Sequence, residues 1–180
     1  MSKGPSFILA ALPRSGTTWA SAWLMDGNAL CYHDPLGSGF TIEQLEEHDP
    51  GCLWGIACTS VFTFPQWMAR QNCPVVLLDR PIDQINKSLV EELKLPPLND
   101  AMLPTFQSLK FPRISWNALW TPEGAKEIWE FLRPDTPFNV QRWHLLQQLR
   151  INPKFEEIVI DTAKFRANMK QIYKEMYESL

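Results

Sequence analysis

Three things are scarce in this chain, and each scarcity narrows what it can do. No apolar run approaches the roughly 20 residues that a membrane-spanning helix needs, so no membrane partner is expected. Cationic side chains are not in excess. Seventeen lysines and arginines stand against 20 aspartates and glutamates, a net charge of −3. General affinity for nucleic acid comes from neutralising many phosphates, so no nucleic-acid partner is expected either. The 4 cysteines, Cys31, Cys52, Cys58 and Cys73, lack the paired CxxC spacing of a zinc site and are too few for a secreted disulfide scaffold. A reduced, cytoplasmic setting is the expectation. Internal repeats and low-complexity tracts are also missing. The N-terminal stretch has one lysine, Lys3, and a brief apolar run that Pro13 and Arg14 cut short, with no small-residue cleavage site. It reads as a first strand.

What is present has globular composition. Apolar residues make up 45% and charged residues 21% of 180, which is enough for one domain over residues 1–180 with a substantial core. Eight tryptophans are many for this length, and most are expected to fill the core or line grooves.

Short apolar runs alternate with helical patterns along the chain. Residues 7–12, 29–32, 53–58, 75–79 and 157–161 read as strands, and residues 17–25 carry helical spacing closed by Gly27. Thr121-Pro122-Glu123 and Thr136-Pro137-Phe138 each place a capping hydroxyl before a proline and mark helix starts. A last amphipathic helix begins at Thr162. The expected fold class is α/β, a P-loop-type parallel sheet of about five strands flanked by helices on both faces. Residues 94–113 contain Pro96, Pro97, Pro104 and Pro112, and read either as a lid or as an irregular loop packed over the sheet edge.

The most informative segment is Leu12-Pro13-Arg14-Ser15-Gly16-Thr17-Thr18-Trp19, where the first strand turns into the first helix. Backbone N–H groups at a helix start have no intrahelical acceptor, and the helix dipole adds partial positive charge, so an anion is attracted there. Gly16 permits close approach. The hydroxyls of Ser15, Thr17 and Thr18 can meet phosphate oxygens, and Arg14 offers a planar, permanently charged fork. A nucleoside-triphosphate loop reads G-x-x-x-x-G-K-[ST], but here Ala11 holds the first glycine position and Thr17 the lysine position.

LPRSGTTW instead resembles the 5′-phosphosulfate loop of sulfotransferases, which move a sulfuryl group from 3′-phosphoadenosine 5′-phosphosulfate (PAPS) to an acceptor hydroxyl or amine. A second likeness follows the strand at 75–79, where Arg80 and, eight residues on, Ser88 resemble the family's 3′-phosphate motif. At roughly 100° per residue, Ile82, Ile85, Leu89 and Leu93 form an apolar stripe with Ser88 on its flank. The Cys31-Tyr32-His33-Asp34 step resembles small bacterial and phage sulfotransferase-like proteins, with Asp34 in place of a glutamate. The likeness covers residues 7–89. The arginine-, lysine- and glycine-rich segment with which cytosolic animal sulfotransferases close their nucleotide site has no counterpart here.

The resemblance implies PAPS as co-substrate without a metal, held by Arg14, Ser15, Gly16, Thr17, Thr18, Trp19, Arg80 and Ser88, and a small-molecule acceptor whose identity is open. Trp19 either stacks on the adenine or packs on Trp23. Sulfuryl transfer needs a base for the acceptor and a cation for the leaving oxygen. Arg14 suits the cation, and His33, at a strand end on the same rim as the loop, suits the base with Asp34 in reserve. The alternative for His33 is a structural hydrogen bond to a neighbouring loop. Two rival functions remain: a small nucleotide or nucleoside kinase, with Asp79 at a strand end placed to hold Mg²⁺, and a non-catalytic nucleotide-binding protein of the same fold.

Overall fold

The computed structural model describes residues 4–98 and 101–148. The strand expected at 157–161 and the helix expected from Thr162 lie outside them. Along the described residues the elements run β1 Phe7–Ala11, α1 Thr17–Leu24, β2 Ala29–His33, α2 Ile42–Glu47, β3 Leu53–Cys58, α3 Pro65–Arg70, β4 Val75–Asp79, α4 Ile82–Lys87, α5 Met102–Ser108, β5 Arg113–Ser115, α6 Pro122–Leu132 and α7 Val140–Gln147. A π-helical turn, Ser88–Glu92, continues α4, and a 3₁₀ turn, Trp116–Trp120, follows β5.

The strands form one parallel sheet in the order β2-β3-β1-β4-β5, so the fold is α/β as expected. β1 is central and every one of its residues is buried, because both of its faces are covered. Phe7, Leu9 and Ala11 pack with Trp19 and Trp23 of α1, Ile128 of α6 and Trp143 of α7. Ile8, Ala10 and Leu12 pack on the opposite face with Leu45 of α2, Met68 of α3, Ile85 of α4 and Phe106 of α5. Strand period 2 thus divides one six-residue run, β1 and Leu12 after it, between two cores. β3 can lie against β1 because residue 55 is glycine: a β-carbon there would stand 2.3 to 2.5 Å from the Phe7 ring.

The order of strands also fixes where a ligand can sit. The connection leaving β1 crosses one face through α1, whereas those leaving β2, β3 and β4 cross the other. Neighbouring connections that part to opposite faces open a crevice at the carboxyl ends of the strands between them. Here those ends belong to β1, β3 and β4.

Three local expectations need correction. The proline-interrupted stretch contains α5 and leads into β5, neither of which was expected. Pro104 is the third residue of α5, inside the first turn, where its missing N–H would have no helical acceptor. Phe106 is buried against Phe62 with ring centroids 5.3 Å apart, so this helix is part of the second core. The helix expected from Thr136-Pro137 begins instead at Val140, capped by Asn139, whose side chain accepts from the Arg142 N–H. The start at Thr121-Pro122 is as expected, with the Thr121 hydroxyl accepting from the Gly124 N–H. Among the described residues, no helix is long and apolar enough to cross a membrane.

Two arginines tie the first core together far from the crevice. Arg142 reaches the C-terminal end of α1 and donates to the Ala22 and Trp23 carbonyls, which have no partner within the helix. Arg133, with 3% of its side chain exposed, donates to Asp26 through both terminal nitrogens at 2.7 and 3.2 Å and to the Leu24 carbonyl at 3.0 Å. Its guanidinium also lies 4.7 Å from the Trp129 ring centre. Replacing it by alanine strands the Asp26 carboxylate and opens a void beside Trp129. Arg133→Ala is expected to cost about 3 kcal/mol, read as a lowered midpoint in urea unfolding.

Candidate functional site

The loop between β1 and α1 turns through two left-handed residues, Arg14 at φ 64° and Gly16 at φ 83°. Glycine adopts this conformation freely, but an arginine there costs roughly 1 kcal/mol, and such positions cluster where a loop must present its backbone to a ligand. The first backbone bond of α1 runs from the Ala20 N–H to the Gly16 carbonyl at 2.8 Å. The N–H groups of Thr17, Thr18 and Trp19 therefore precede the helical ladder, and no side chain caps them.

One group of side chains gathers on Arg14. Its Nε donates to Ser88 Oγ at 2.9 Å, and its Nη2 lies 3.0 Å from Glu92 Oε2. Ser88 in turn donates to the same Glu92 oxygen at 2.9 Å. Arg80 donates to the Arg14 carbonyl, and its guanidinium lies 4.3 Å from the Trp116 ring centre. The two segments singled out in the sequence thus meet at one place. Ser88 is 3% exposed and opens the π-helical turn. Such turns recur at functional sites. Burial lowers the Arg80 pKa, the Glu92 charge opposes that, and the Arg14 charge adds to it.

A second group gathers on His33. Its Nε2 lies 3.1 Å from Asp34 Oδ2, 3.2 Å from Thr17 Oγ1 and 3.0 Å from Thr18 Oγ1. A carboxylate at that distance needs a proton between the two atoms, so Asp34 selects the tautomer with hydrogen on Nε2 and leaves the Nδ1 lone pair as the basic atom. Asp34 is held by the loop after β3, where the Thr59 N–H and the Thr59 hydroxyl, at 3.0 Å, both donate to Oδ1. Burial raises its pKa, but the hydrogen bonds from His33 and Thr59 outweigh this and hold the carboxyl below its ordinary value of 3.8. Asp34 is itself left-handed at φ 42°, a conformation that aspartate tolerates better than most residues. The hydroxyls of Thr17 and Thr18 therefore face the histidine, and their backbone N–H groups are the part of the loop directed by helix geometry.

Trp19 stands elsewhere. It is 3% exposed, stacks on Trp23 with ring centroids 5.5 Å apart, and donates to the Leu146 carbonyl at 3.1 Å. It is a core residue with no open face, and of the two readings of this residue packing on Trp23 is the one observed. Tryptophans that sequence reasoning did not single out are closer to the loop. A β-carbon at Gly16 would lie 3.4 Å from Trp120 Cζ2 and 3.5 Å from Trp116 Nε1. The 3₁₀ turn after β5 thus roofs the loop glycine. Among the described residues, the buried side-chain polar atoms without a partner include Ser15 Oγ, Arg80 Nε, Trp116 Nε1 and Trp120 Nε1. Buried donors are seldom left unpaired, and these four belong to the loop or to residues touching it.

Beside Arg80 a cleft of about 460 Å³ opens over the ends of β1, β4 and β5, lined by Leu12, Asp79, Arg80, Phe106, Arg113 and Ser115 among others. That volume lies in the range of small-molecule sites. Asp79 is ion-paired to Arg113 at 2.8 Å, a contact that fastens the short edge strand β5 to β4.

Asp34→Asn is expected to destabilise the protein by about 1–2 kcal/mol at pH 7, since hydrogen bonds to a charged acceptor are lost. Because the folded-state pKa is depressed, this contribution is present above 3.8 and disappears as pH falls through the lower folded value. Urea midpoints of wild type and variant should therefore differ at pH 7 and draw together as pH falls below 3.8.

Comparison of the chain with family models, with curated proteins and with solved structures returned no match.

Proposed function

We propose that this chain binds a nucleotide phosphorylated at both the 5′ and 3′ positions and transfers the sulfuryl group of PAPS to an acceptor hydroxyl or amine. The observation that carries the reading is the convergence of the 12–19 loop with Arg80 and Ser88 on Arg14, at the switch point of a parallel sheet. Two anion-binding segments that share one arginine suit a ligand with two anionic groups. The N–H groups of Thr17, Thr18 and Trp19 would hold the 5′ end, Arg80 and Ser88 the 3′-phosphate, and the adjoining cleft the nucleoside.

His33 would take the acceptor proton at Nδ1 while Asp34 steadies the imidazolium that forms, a base-and-orienter arrangement. Arg14 would compensate charge on the departing phosphate oxygen through Nη1, since Nε and Nη2 are the nitrogens turned to Ser88 and Glu92. The kinase reading has less support. It needs Asp79 for Mg²⁺, and that carboxylate is paired to Arg113, while the loop position that takes lysine in kinases holds Thr17.

Calorimetric titration with adenosine 3′,5′-bisphosphate, beside ATP with Mg²⁺, tests the binding half of the proposal. Selective binding of the bisphosphate is expected, weakened about tenfold or more in Arg80→Ala. Binding of ATP alone would overturn the reading in favour of a kinase. For the chemistry, His33→Ala should keep bisphosphate affinity and lower the rate of sulfuryl transfer by about 10²- to 10⁴-fold. A bisphosphate-binding protein that transfers nothing to a broad panel of hydroxyl and amine acceptors would leave the non-catalytic reading in its place.

A further inference from the structure

We propose that Glu92 is an internal competitor for the second anion site, a carboxylate that a 3′-phosphate must displace before it can bind. This deepens the proposed function and rests on it. In the structure one carboxylate oxygen, Oε2, receives both Arg14 Nη2 at 3.0 Å and Ser88 Oγ at 2.9 Å. Two donors meeting at a single anionic oxygen is the pattern a phosphate oxygen would take in the same place. Arg80 contributes a third positive influence. The hydrogen bonds from Ser88 and Arg14, with the charges of Arg14 and Arg80, hold the Glu92 carboxyl below its usual range despite some burial. Glu92 is therefore anionic wherever a phosphate ligand would be.

An ordinary surface ion pair would be the simplest account, since the Glu92 side chain is 45% exposed and such pairs contribute little. Two features go beyond it. The shared partner Ser88 is 3% exposed, so this oxygen satisfies a buried hydroxyl as well as a surface cation. Residues 88 and 92 are also the first and last of the π-helical turn, which places both on the Arg14 side. The turn brings a carboxylate to Ser88 and Arg14, two of the donors that the resemblance implies for the anionic groups of the nucleotide. Exposure on its outer side leaves Glu92 free to swing into water when a dianion arrives, so displacement needs no change in the fold.

The consequence is selective. A ligand with a 3′-phosphate works against Glu92, whereas one without it leaves the carboxylate on Arg14. The test is calorimetric titration of the full chain with adenosine 3′,5′-bisphosphate and with adenosine 5′-monophosphate, in wild type, Glu92→Gln and Glu92→Ala. Both variants should bind the bisphosphate about tenfold more tightly than wild type, with monophosphate affinity changed by less than about twofold. If wild type binds the bisphosphate and the variants bind it equally or more weakly, the competitor role is wrong and the nucleotide reading stands. Should no protein of the three bind either nucleotide, the function reading fails and this inference with it. Equal tightening for both nucleotides would also overturn it, since that would be a general charge effect.

Discussion

The site hangs on the guanidinium of Arg80. It donates to the carbonyl of Arg14, lies on the face of Trp116 and closes the end of β4, so one planar group joins the loop after β1 to the turn after β5. Arginine can do this because its donors lie in one plane while its flat face remains free for stacking. A lysine would keep the charge and lose the geometry. The hydrogen bond to its carbonyl from outside the loop helps hold Arg14 in its left-handed conformation. The two arginines are like charges in close company, and the carboxylate of Glu92 is what makes their proximity tolerable.

The sheet order explains why the two polar groups share a rim. His33 ends β2, Thr59 follows β3, the loop follows β1 and Arg80 follows β4, and all these strands are parallel. Every carboxyl end therefore points the same way. Residues separated widely in sequence reach one surface without long side chains or unusual loops, and the α1 N-terminus stands between the His33 group and the Arg14 group. Thr17 and Thr18 face His33, while Arg14 three and four residues earlier faces Ser88.

Much of this was legible in the sequence, and what was not has identifiable causes. β1, β3 and β4 are runs of mostly buried apolar residues and β2 is a half-buried run that ends in the exposed His33, so hydrophobicity places them. β5 has three residues at the sheet edge and an exposed arginine at its start, too short a run for any periodic signal. α5 was hidden by Pro104, which looks like a breaker and sits where breaking costs nothing. Of the site residues, Arg80 and Ser88 stand out in the sequence, and the structure brings them together through Arg14. Glu92 stands four residues after Ser88, and the π-helical turn puts the two beside each other. Nothing in the sequence distinguishes Trp116 and Trp120 from core tryptophans such as Trp19, because their placement depends on β5 and on the glycine they cover.

The central position of β1 has a consequence for how the chain assembles. Its partners on either side are β3 and β4, some fifty and seventy residues later in the chain. Both pairings are non-local, so each requires the closure of a long loop. Until β4 docks, one edge of this apolar strand stays unpaired and open to association with other chains. The docking that covers this edge also brings Arg80, the residue after β4, to the Arg14 carbonyl.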